Sequence, residues 1–591
     1  MLSSDYHGGS GMSIIRHIEI QNFRSIKQFS WTPNPGLNCL IGPGDSGKST
    51  ILDAIDLALG ARRSYSFNDA DFYQLDTTSP LVITVTIGRL HDELKNIERY
   101  GFFLRGFNPI TKEVFDEPQV GTETTLTIKL SVDADLVPDW RLYSERADAD
   151  GLERRLPWKH RELLSPARLG VTSQQNLAWG NRSVLSKLSE DTLDVSSVLA
   201  QLGRQTRYAF ATQQIQGVTD VLTQVQEIAN RLGVPVGQLS ALLDVNGISM
   251  SNGAISLHNS DGTPLRQLGT GSSRLLISGL QKAASCSSIL IVDEAEYGLE
   301  PYRITRLLNE LGSKLIDPKQ QVFLTTHSPY VLRELQASQL HVLRKNTTAA
   351  QVFERPCYSH KIYSLEGGEQ QQSTLRACAE AFFSKAIIVG EGSTEVGFVR
   401  GIDLHKQDNQ QLGIQSKGGF CTDGGGGSNY FQRAKVFAHL GYPVALLKDS
   451  DINTPAHQVE TEQCKEAGVV VFEWGHGMST EGAIFSWCRI DVLPLLLRAA
   501  AELNGHQEVD QHIKNKSNNQ FDFATCVSQP HDNMRSPLAQ AAGHYKWFKN
   551  IAKSETVIRT VVGPNTQLYN THFQNILHSL LDWVEANGDI R

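Results

Sequence analysis

The sequence predicts an α/β protein built from two consecutive units, and three observations carry this prediction. A strand, a glycine-rich loop and a helix follow one another between Ile14 and Leu59. An apolar strand farther along ends in the acidic pair Asp293 and Glu294, and a second strand-helix-strand rhythm begins at Lys385. With 591 residues the chain is too long for one compact core, so two or three domains are expected.

Composition narrows the class of protein. No stretch approaches the roughly 18 consecutive apolar residues of a membrane span, and the first residues lack a signal-peptide pattern, so we expect a cytoplasmic protein without membrane association. The eight cysteines contain no C-x-x-C pair, which argues against a disulfide framework and a zinc site. A net charge of −8 does not indicate nucleic-acid binding, but a negative net charge is compatible with a local basic groove.

The first elements form a phosphate-binding loop in its proper context. From Ile14 apolar and polar residues alternate as in a half-buried strand, the run LNCLI predicts a second strand, and residues 51–59 place apolar side chains on one helical face. Between them, GPGDSGKS fits G-x-x-x-x-G-K-S, whose backbone N–H groups wrap phosphates while the lysine reaches the β and γ oxygens and the serine binds Mg²⁺. The predicted ATP-binding residues here are Gly42, Gly44, Gly47, Lys48, Ser49 and Thr50.

Alternating runs predict two more strands, over residues 81–87 and 125–132, with polar and irregular stretches between and after them. From about residue 183 to 232 the pattern changes to helical, and this block separates two groups of nucleotide motifs. We therefore interpret it as an insertion. Its apolar stripe is typical of an ordinary packing face and also of a dimerisation face.

The second group of nucleotide motifs begins near residue 265. In SSILIVDEAE, Asp293 is a candidate to hold Mg²⁺ and Glu294 a candidate catalytic residue that polarises the attacking water. Upstream, LGTGSSR precedes a helical run and offers backbone donors to an anion, with Gly271 and Ser272 at its centre. Downstream, QVFLTTHSPY predicts a strand followed by His327, whose imidazole could hydrogen-bond a γ-phosphate.

Four motifs follow one another along the chain: the phosphate-binding loop GPGDSGKS (the cradle), the segment LGTGSSR (the signature), the acidic strand and His327. This order resembles that of ATP-binding-cassette ATPases of the RecF and SMC kind, and IEIQNFRSI is similar to their first strand. The resemblance implies a homodimer or a higher homo-oligomer, with ATP held between the cradle of one head and the Gly271-Ser272 signature of the other. GTGSS replaces the usual LSGGQ, which suggests slow hydrolysis. The predicted parts of the ATPase are residues 12–180, a helical dimerisation insertion at 181–240, and residues 241–365.

A polar connection, KNTTAAQ and then SLEGGEQQQS, is predicted to lead into the second unit. There Glu391 ends an apolar strand and Glu395 lies one helical turn on, while Asp449 and Asp451 follow another strand two residues apart. Four convergent carboxylates require a cation, and hard oxygen ligands suit Mg²⁺ or Mn²⁺. GGFCTDGGGGSNY lacks a Lys-Ser pair, so we interpret it as a flexible connection and not as a second phosphate loop.

The paired acidic motifs resemble the Toprim domain of primases, topoisomerases and OLD-family (overcoming lysogenization defect) nucleases, and a Toprim domain after a cassette-type ATPase is the OLD architecture, shared by Gabija-type nucleases. The resemblance implies a Toprim nuclease domain with helical additions at residues 380–591, a DNA substrate, and a role in anti-phage defence. It also implies further metal ligands at Glu481 and Ser479 and a catalytic lysine, for which Lys549 is preferred to Lys546. A UvrD-like helicase is an implied partner.

The leading hypothesis is therefore an ATP-regulated, metal-dependent DNA endonuclease or nickase, with Glu391 also a candidate general base. The main alternative is a non-cutting, ATP-driven DNA clamp of the RecF or SMC class. A primase or a topoisomerase is a further alternative, although no pattern in the sequence singles out a catalytic tyrosine.

Overall fold

The computed structural model describes residues 12–62, 65–169, 265–284, 287–352, 355–452, 454–475 and 477–588, together with residues 205 and 260. The predicted helical insertion at 181–240 lies outside these ranges apart from residue 205. Three sheets organise the described residues.

The first sheet is antiparallel and seven-stranded, in the order β2-β1-β4-β7-β5-β6 with β8 also pairing with β7. Its strands are β1 (Ile14–Phe23), β2 (Ile26–Trp31), β4 (Leu81–Gly88), β5 (Leu104–Phe107), β6 (Val114–Phe115), β7 (Glu123–Val132) and β8 (Pro138–Tyr143). The strands predicted over 81–87 and 125–132 are β4 and β7. Three further strands, β5, β6 and β8, occupy stretches that the sequence predicted to be irregular.

The second sheet has six strands in the order β13-β12-β3-β11-β10-β9, all parallel except for β13. Its strands are β3 (Leu37–Ile41), β9 (Ala167–Leu169), β10 (Ile289–Val292), β11 (Gln321–Thr325), β12 (Leu340–Val352) and β13 (Arg355–Ser364). Strands β3, β10 and β11 are buried throughout, as expected for central strands of a parallel sheet.

Helices flank these two sheets. They are α1 (Lys48–Leu59), α2 (Ile97–Tyr100), α3 (Glu145–Ala149), α4 (Trp158–Leu164), α5 (Thr270–Ala284), α6 (Pro301–Glu310), α7 (Pro329–Glu334) and α8 (Glu369–Ala377). Helix α1 follows the glycine-rich loop directly, so the predicted strand-loop-helix order is observed.

The third sheet is parallel and four-stranded, in the order β15-β14-β16-β17. Its strands are β14 (Ala386–Gly390), β15 (Gly419–Asp423), β16 (Val444–Lys448) and β17 (Val470–Glu473). The helices around and after it are α9 (Ser393–Asp408), α10 (Asn429–His439), α11 (Pro455–Glu466), α12 (Thr480–Ser486), α13 (Leu493–Asn504), α14 (His506–Lys516), α15 (Phe523–Ser528), α16 (Arg535–His544), α17 (Ile551–Val557) and α18 (Thr571–Asn587). None of the helices described combines the length and apolar character needed to cross a membrane.

One apolar core joins the second and third sheets. Buried side chains of β3, β10 and β11 belong to the same cluster as those of β14 and β16. The segment between the sheets is also tied by polar contacts: the Tyr442 hydroxyl donates to the Phe382 carbonyl at 2.6 Å, and Arg344 Nη2 donates to the Lys385 carbonyl at 3.1 Å. The two parts of the chain are therefore packed as one body.

Two predicted connections are wrong. KNTTAAQ lies within β12, which pairs with β13 in a long antiparallel hairpin. The first half of GGFCTDGGGGSNY is β15, the edge strand of the third sheet. An edge strand such as β15 has one side toward solvent and tolerates polar residues and glycine, so its composition is close to that of a loop.

Candidate functional site

The first candidate site lies where three neighbouring parallel strands, β3, β11 and β10, end. The glycine-rich loop follows β3, Asp293 follows β10, and His327 lies two residues beyond β11. Because the carboxyl ends of parallel strands meet at one edge of a sheet, motifs that are far apart in sequence lie side by side.

Backbone geometry explains two of the glycines in the loop. Gly42 and Gly47 have φ of +149° and +94°, values that residues with a Cβ rarely adopt. A Cβ on Gly42 would also lie 2.4 Å from the Leu343 carbonyl oxygen. Gly44, in contrast, has open space around it. Lys48 is buried, and its Nζ donates to the carbonyls of Gly42 and Pro43, both at 3.0 Å.

The hydroxyl of Ser49 faces the acidic strand. Ser49 Oγ lies 3.5 Å from Asp293 Oδ1, which also accepts a 2.5 Å hydrogen bond from Thr325 Oγ1. Thr50 Oγ1 lies 3.3 Å from Ser25 Oγ. A serine hydroxyl next to an aspartate at the end of a strand is the donor pair that holds Mg²⁺ in P-loop NTPases.

Glu294 stands in an unusual backbone conformation. Its φ is +48°, and its N–H donates to Thr325 Oγ1 at 2.9 Å. The loop beyond it is fixed by Arg274, whose Nη2 donates to the carbonyls of Asp293 at 2.7 Å and Glu294 at 2.8 Å. A positive φ outside glycine is held only where the surroundings enforce it, as these contacts do here.

The predicted signature lies at the start of α5. A Cβ on Gly271 would meet Arg303 Nη1 at 2.7 Å and the Gly298 carbonyl at 2.8 Å, so a side chain has no room there. Ser272 Oγ accepts a 3.0 Å hydrogen bond from Arg303 Nη1. Through Arg274 the same helix reaches the loop that carries Glu294.

His327 is exposed. Among the residues that the structure describes, no hydrogen bond joins it to the glycine-rich loop. Its N–H donates to Glu296 Oε1 at 2.7 Å, and its ring lies 6.2 Å from the ring of Phe383. Phe383 directly precedes the third sheet, so this histidine lies between the two halves of the molecule.

The second candidate site lies at the carboxyl ends of β14 and β16, which are neighbours in the third sheet. Glu391 and Asp449 are the first residues after these strands, and the Asp449 N–H donates to Glu391 Oε2 at 3.1 Å. Glu395, in the first turn of α9, accepts from the Gly392 N–H at 2.8 Å. Three of the four predicted carboxylates are thus brought together, while Asp451 is exposed at their margin.

A threonine that the sequence did not single out links two of these carboxylates. Thr480 Oγ1 lies 2.8 Å from Glu395 Oε1 and 2.9 Å from Asp449 Oδ1, and the Thr480 N–H donates to the same aspartate oxygen at 2.9 Å. Trp474 Nε1, which is buried, donates to Thr480 Oγ1 at 2.8 Å. The hydroxyl is therefore fully engaged at the centre of the cluster.

The two remaining predicted ligands differ in role. Ser479 caps α12: its Oγ accepts from the Gly482 N–H at 3.1 Å. Glu481 is buried, and its Oε1 has no hydrogen-bond partner within the described part of the chain.

Burial makes this cluster resist ionisation. It raises the pKa of Glu395 to about 7, and the charge of Glu481 adds to the effect. Burial is also the largest cause of the raised pKa of Asp449, Glu391 and Glu481, and the charge of Asp451 raises the pKa of the last two further. Buried carboxylates at such spacing favour either a proton or a cation.

Lys549 contributes a positive charge to the electrostatics of the cluster. Its ammonium lowers the pKa of both Glu391 and Glu481, which burial raises. Lys549 is exposed, as is Lys546, which has a backbone φ of +57°.

Comparison with known protein families identifies the first half of the chain. Residues 37–333 match the family described as "AAA domain, putative AbiEii toxin, Type IV TA system", and this is half of the chain. The chain belongs to this AAA family. The matched range runs from β3 through the glycine-rich loop and Asp293 to just beyond His327, and the AAA domain is thus an α/β P-loop ATPase. The acidic cluster lies beyond it.

Two curated relatives match shorter segments. The OLD nuclease of Thermus scotoductus is 37% identical over 76 residues, and the DNA replication and repair protein RecF of Nitrosococcus oceani is 44% identical over 54 residues. The matches cover 12% and 9% of this chain and only 14% and 15% of the relatives' own lengths.

Among solved structures, this chain is similar to an SMC head bound to the C-terminal winged-helix domain of ScpA, with 14% identity and a TM-score of 0.30. It is also similar to the SMC head domain from Thermotoga maritima, with 13% identity and a TM-score of 0.26. These alignments cover 60% of this chain and 98% and 99% of the SMC chains.

The acidic cluster fits a divalent cation by its chemistry. All of its carboxylates are hard oxygen donors, and the buried, unpaired Oε1 of Glu481 is an atom that a cation would satisfy. Within the part of the chain that the structure describes, however, no three His, Cys, Asp or Glu side chains stand in a ready metal-binding arrangement. Hydrogen bonds from Thr480 and the backbone hold the carboxylates instead.

Several residues of the two sites carry no sequence signal. In the AAA domain, Arg168 Nη1 lies 2.5 Å from Asp53 Oδ1 and its Nη2 3.7 Å from Asp293 Oδ2, so it adds a positive charge next to Asp293. In the acidic site, Tyr430 is buried, and Glu391, Asp449 and Asp451 contribute to its raised pKa after burial itself. Neither residue was singled out by the sequence, and the run of glycines before Tyr430 was interpreted only as a flexible connection.

Proposed function

We propose that this protein is an ATP-regulated, divalent-metal-dependent DNA endonuclease or nickase of the OLD type, with a Toprim-like domain at residues 380–591. One observation carries the proposal. Glu391, Glu395 and Asp449 converge at the carboxyl ends of two adjacent parallel strands. The buried Glu481 follows Thr480, and the charge of Lys549 lowers the pKa of Glu391 and Glu481. Such a set of oxygen ligands and one lysine suits phosphodiester hydrolysis.

In this proposal the ligands of Mg²⁺ or Mn²⁺ are five carboxylates, those of Glu391, Glu395, Asp449, Asp451 and Glu481. Ser479 caps the helix that carries Glu481. The bound cation would lower the pKa of a water molecule and stabilise charge on the phosphate. Glu391 accepts the proton of the water as its oxygen bonds to phosphorus. The bond from phosphorus to the 3′ oxygen breaks, and Lys549 stabilises the negative charge on that oxygen.

The ATPase half regulates cleavage in this proposal. ATP with Mg²⁺ is bound by Lys48, Ser49 and Asp293, and Glu294 polarises the attacking water. Two copies of the chain sandwich ATP, so that Gly271 and Ser272 of one copy face the cradle of the other, and the insertion at 181–240 adds a dimer contact. The similarity to RecF supports DNA as the partner, because that relative is named for DNA replication and repair.

The biological role that we propose is anti-phage defence. It rests on the resemblance to OLD and Gabija-type nucleases, together with the segment shared with an OLD nuclease.

Plasmid cleavage tests the nuclease. Purified protein is incubated with supercoiled plasmid and Mg²⁺ or Mn²⁺, across a range of ATP concentrations, and nicked and linear products are measured. We expect nicking by the wild type, and a loss of about 100-fold or more in Glu391→Ala and Asp449→Ala with ATP hydrolysis unchanged, since metal ligands act directly in the chemical step.

Asp491→Ala is the matched control, because this carboxylate lies in the same half of the chain but is exposed and paired with Arg489. It should cut like the wild type. Undiminished cutting by both active-site variants would show that the acidic cluster is not the nuclease centre. DNA binding without any cutting, under all metal and ATP conditions, would favour a clamp.

A further inference from the structure

A buried histidine near the nucleotide site has no hydrogen-bond partner among the residues that the structure describes. His360 lies in β13, is 8% exposed, and neither its Nδ1 nor its Nε2 is hydrogen-bonded to any of these residues. Leaving a buried polar group unpaired costs free energy, and such groups in folded proteins therefore call for an explanation such as a ligand.

The imidazole lies against the glycine-rich loop. A Cβ placed on Gly47 would be 3.6 Å from His360 Nε2 and 3.2 Å from Ser25 Oγ. The neighbouring strand of the hairpin touches the other end of the loop, because a Cβ on Gly42 would lie 2.4 Å from the Leu343 carbonyl. The β12–β13 hairpin thus backs the loop at both of its structural glycines.

A second buried histidine in the same hairpin has hydrogen-bond partners for both of its ring nitrogens. His341, in β12, is 1% exposed, and both of its ring nitrogens are hydrogen-bonded, Nδ1 to Ser364 Oγ at 2.7 Å and Nε2 to Asn38 Oδ1 at 3.0 Å. His360 is nearly as buried but lacks such partners. Hydrogen bonds within the fold therefore satisfy both ring nitrogens of His341, whereas those of His360 are left unsatisfied by the described residues.

The protonation state of His360 suits it to be a neutral donor. Burial, aided by the charge of Lys345, lowers its pKa to about 4, so that at neutral pH the ring carries one N–H and one free lone pair. A neutral imidazole donates one directed hydrogen bond and does not act as a charge.

We propose that His360 is a nucleotide-binding residue, whose Nε2–H donates a hydrogen bond to the phosphate chain of a nucleoside triphosphate held by the glycine-rich loop. The phosphate chain is the expected acceptor because Gly47 belongs to the segment that wraps phosphates. This site extends the nucleotide pocket beyond the range matched by the family, which ends at residue 333. It does not depend on the proposed nuclease activity.

Direct binding measurements on the full-length protein test this assignment. Dissociation constants for ATP and for inorganic tripolyphosphate, each with Mg²⁺, are measured by calorimetry for the wild type, His360→Met and His360→Gln. The two substituents have similar size, but only glutamine offers an amide N–H near the position of Nε2. We expect His360→Met to weaken both ligands about tenfold and His360→Gln to restore most of the affinity, as for one hydrogen bond to a charged acceptor.

His341→Gln is the control for a purely structural effect. It should lower the unfolding temperature while the remaining folded protein binds ATP with unchanged affinity. Wild-type affinities in His360→Met, or equal losses in His360→Met and His360→Gln, would overturn the proposal. A loss for ATP without a loss for tripolyphosphate would also overturn it, because the contact would then be to the nucleoside.

Discussion

At the scale of single residues, Thr480 shows how the acidic cluster is organised. Its hydroxyl has one hydrogen, receives the Trp474 N–H, and stands within 2.9 Å of one oxygen of Glu395 and one of Asp449. One small side chain therefore fixes the separation of two carboxylates. If these bind a cation, as we propose, Thr480 positions the ligands without being one.

Thr480→Val removes this hydroxyl at almost constant volume. We expect the dissociation constant for Mn²⁺ to rise about tenfold or more, since partners that orient metal ligands typically contribute 10- to 100-fold in affinity. Electron paramagnetic resonance of free Mn²⁺, without DNA or ATP, measures this directly. Thr480→Ser should bind Mn²⁺ nearly as the wild type does.

Thr374→Val provides the matched control, because this equally buried threonine donates to the Gln370 carbonyl within helix α8, away from the cluster. Unchanged Mn²⁺ affinity in Thr480→Val would mean that the hydroxyl serves only the fold.

The sequence identifies charged residues at strand ends more readily than it identifies their supports. Glu391 and Asp449 follow apolar runs, so their closeness could be predicted from the rules of parallel sheets. Thr480 is the middle residue of Ser479-Thr480-Glu481, and nothing in that spacing separates a cap from a ligand or a positioning residue. Its role depends on Trp474, which comes from the segment after β17, and such a meeting is a property of the tertiary structure.

At the scale of elements, the helix that carries Glu395 is held by close packing. Helix α9 lies against α17 and the turn that follows it. A Cβ on Gly401 would be 2.6 Å from Ile558 Cβ and 2.8 Å from the Glu555 carbonyl, and a Cβ on Gly397 would be 2.5 Å from Ser554 Cβ. The two glycines, one helical turn apart, therefore let the helices approach closely.

Gly401→Ala should destabilise the protein by about 1–3 kcal/mol, because overpacking outweighs the gain in helix propensity. Equilibrium unfolding in urea measures the change in the free energy of unfolding. Gly279→Ala, at a helical position of α5 with open space around it, is the control and should be neutral or stabilising by about 0.5–1 kcal/mol. A Gly401→Ala protein as stable as the wild type would contradict the close packing.

Elements with a strong period were predictable, and short or polar strands were not. Strands β1, β3, β4 and β7 alternate or are largely apolar, and helix α1 has a clear apolar face. Strand β6 has two residues, and β12 runs through KNTTAAQ, where polar side chains at the end of a hairpin resemble a loop. Pairing with a neighbouring strand, which no local pattern records, creates these elements.

At the scale of the whole molecule, the ATPase sheet and the third sheet share one core. Phe382 is fully buried in it, between the two sheets, and its ring lies 4.9 Å from that of Phe437. The Arg344 guanidinium stacks 4.6 Å above the ring of Tyr442 in the same junction. Because the second and third sheets share this core, we expect them to unfold as one unit.

Differential scanning calorimetry should therefore show both sheets melting in one transition. Phe382→Ala should lower the temperature of that transition, because loss of a buried phenylalanine costs about 3–5 kcal/mol. Phe102→Ala, at a position that is 57% exposed, should leave it almost unchanged. Two separate transitions, of which Phe382→Ala shifts only one, would show that the sheets are independent.

The continuous core also has a consequence for evolution and for engineering. A fragment ending just before β14 would turn the apolar surface of Leu375, Phe382 and their neighbours toward water, and the complementary fragment would do the same with Phe437 and Tyr442. Neither piece would remain soluble by itself. Splitting the gene at this junction is therefore disfavoured. Recombination that exchanges one half must also exchange the core residues of the other half that pack against it.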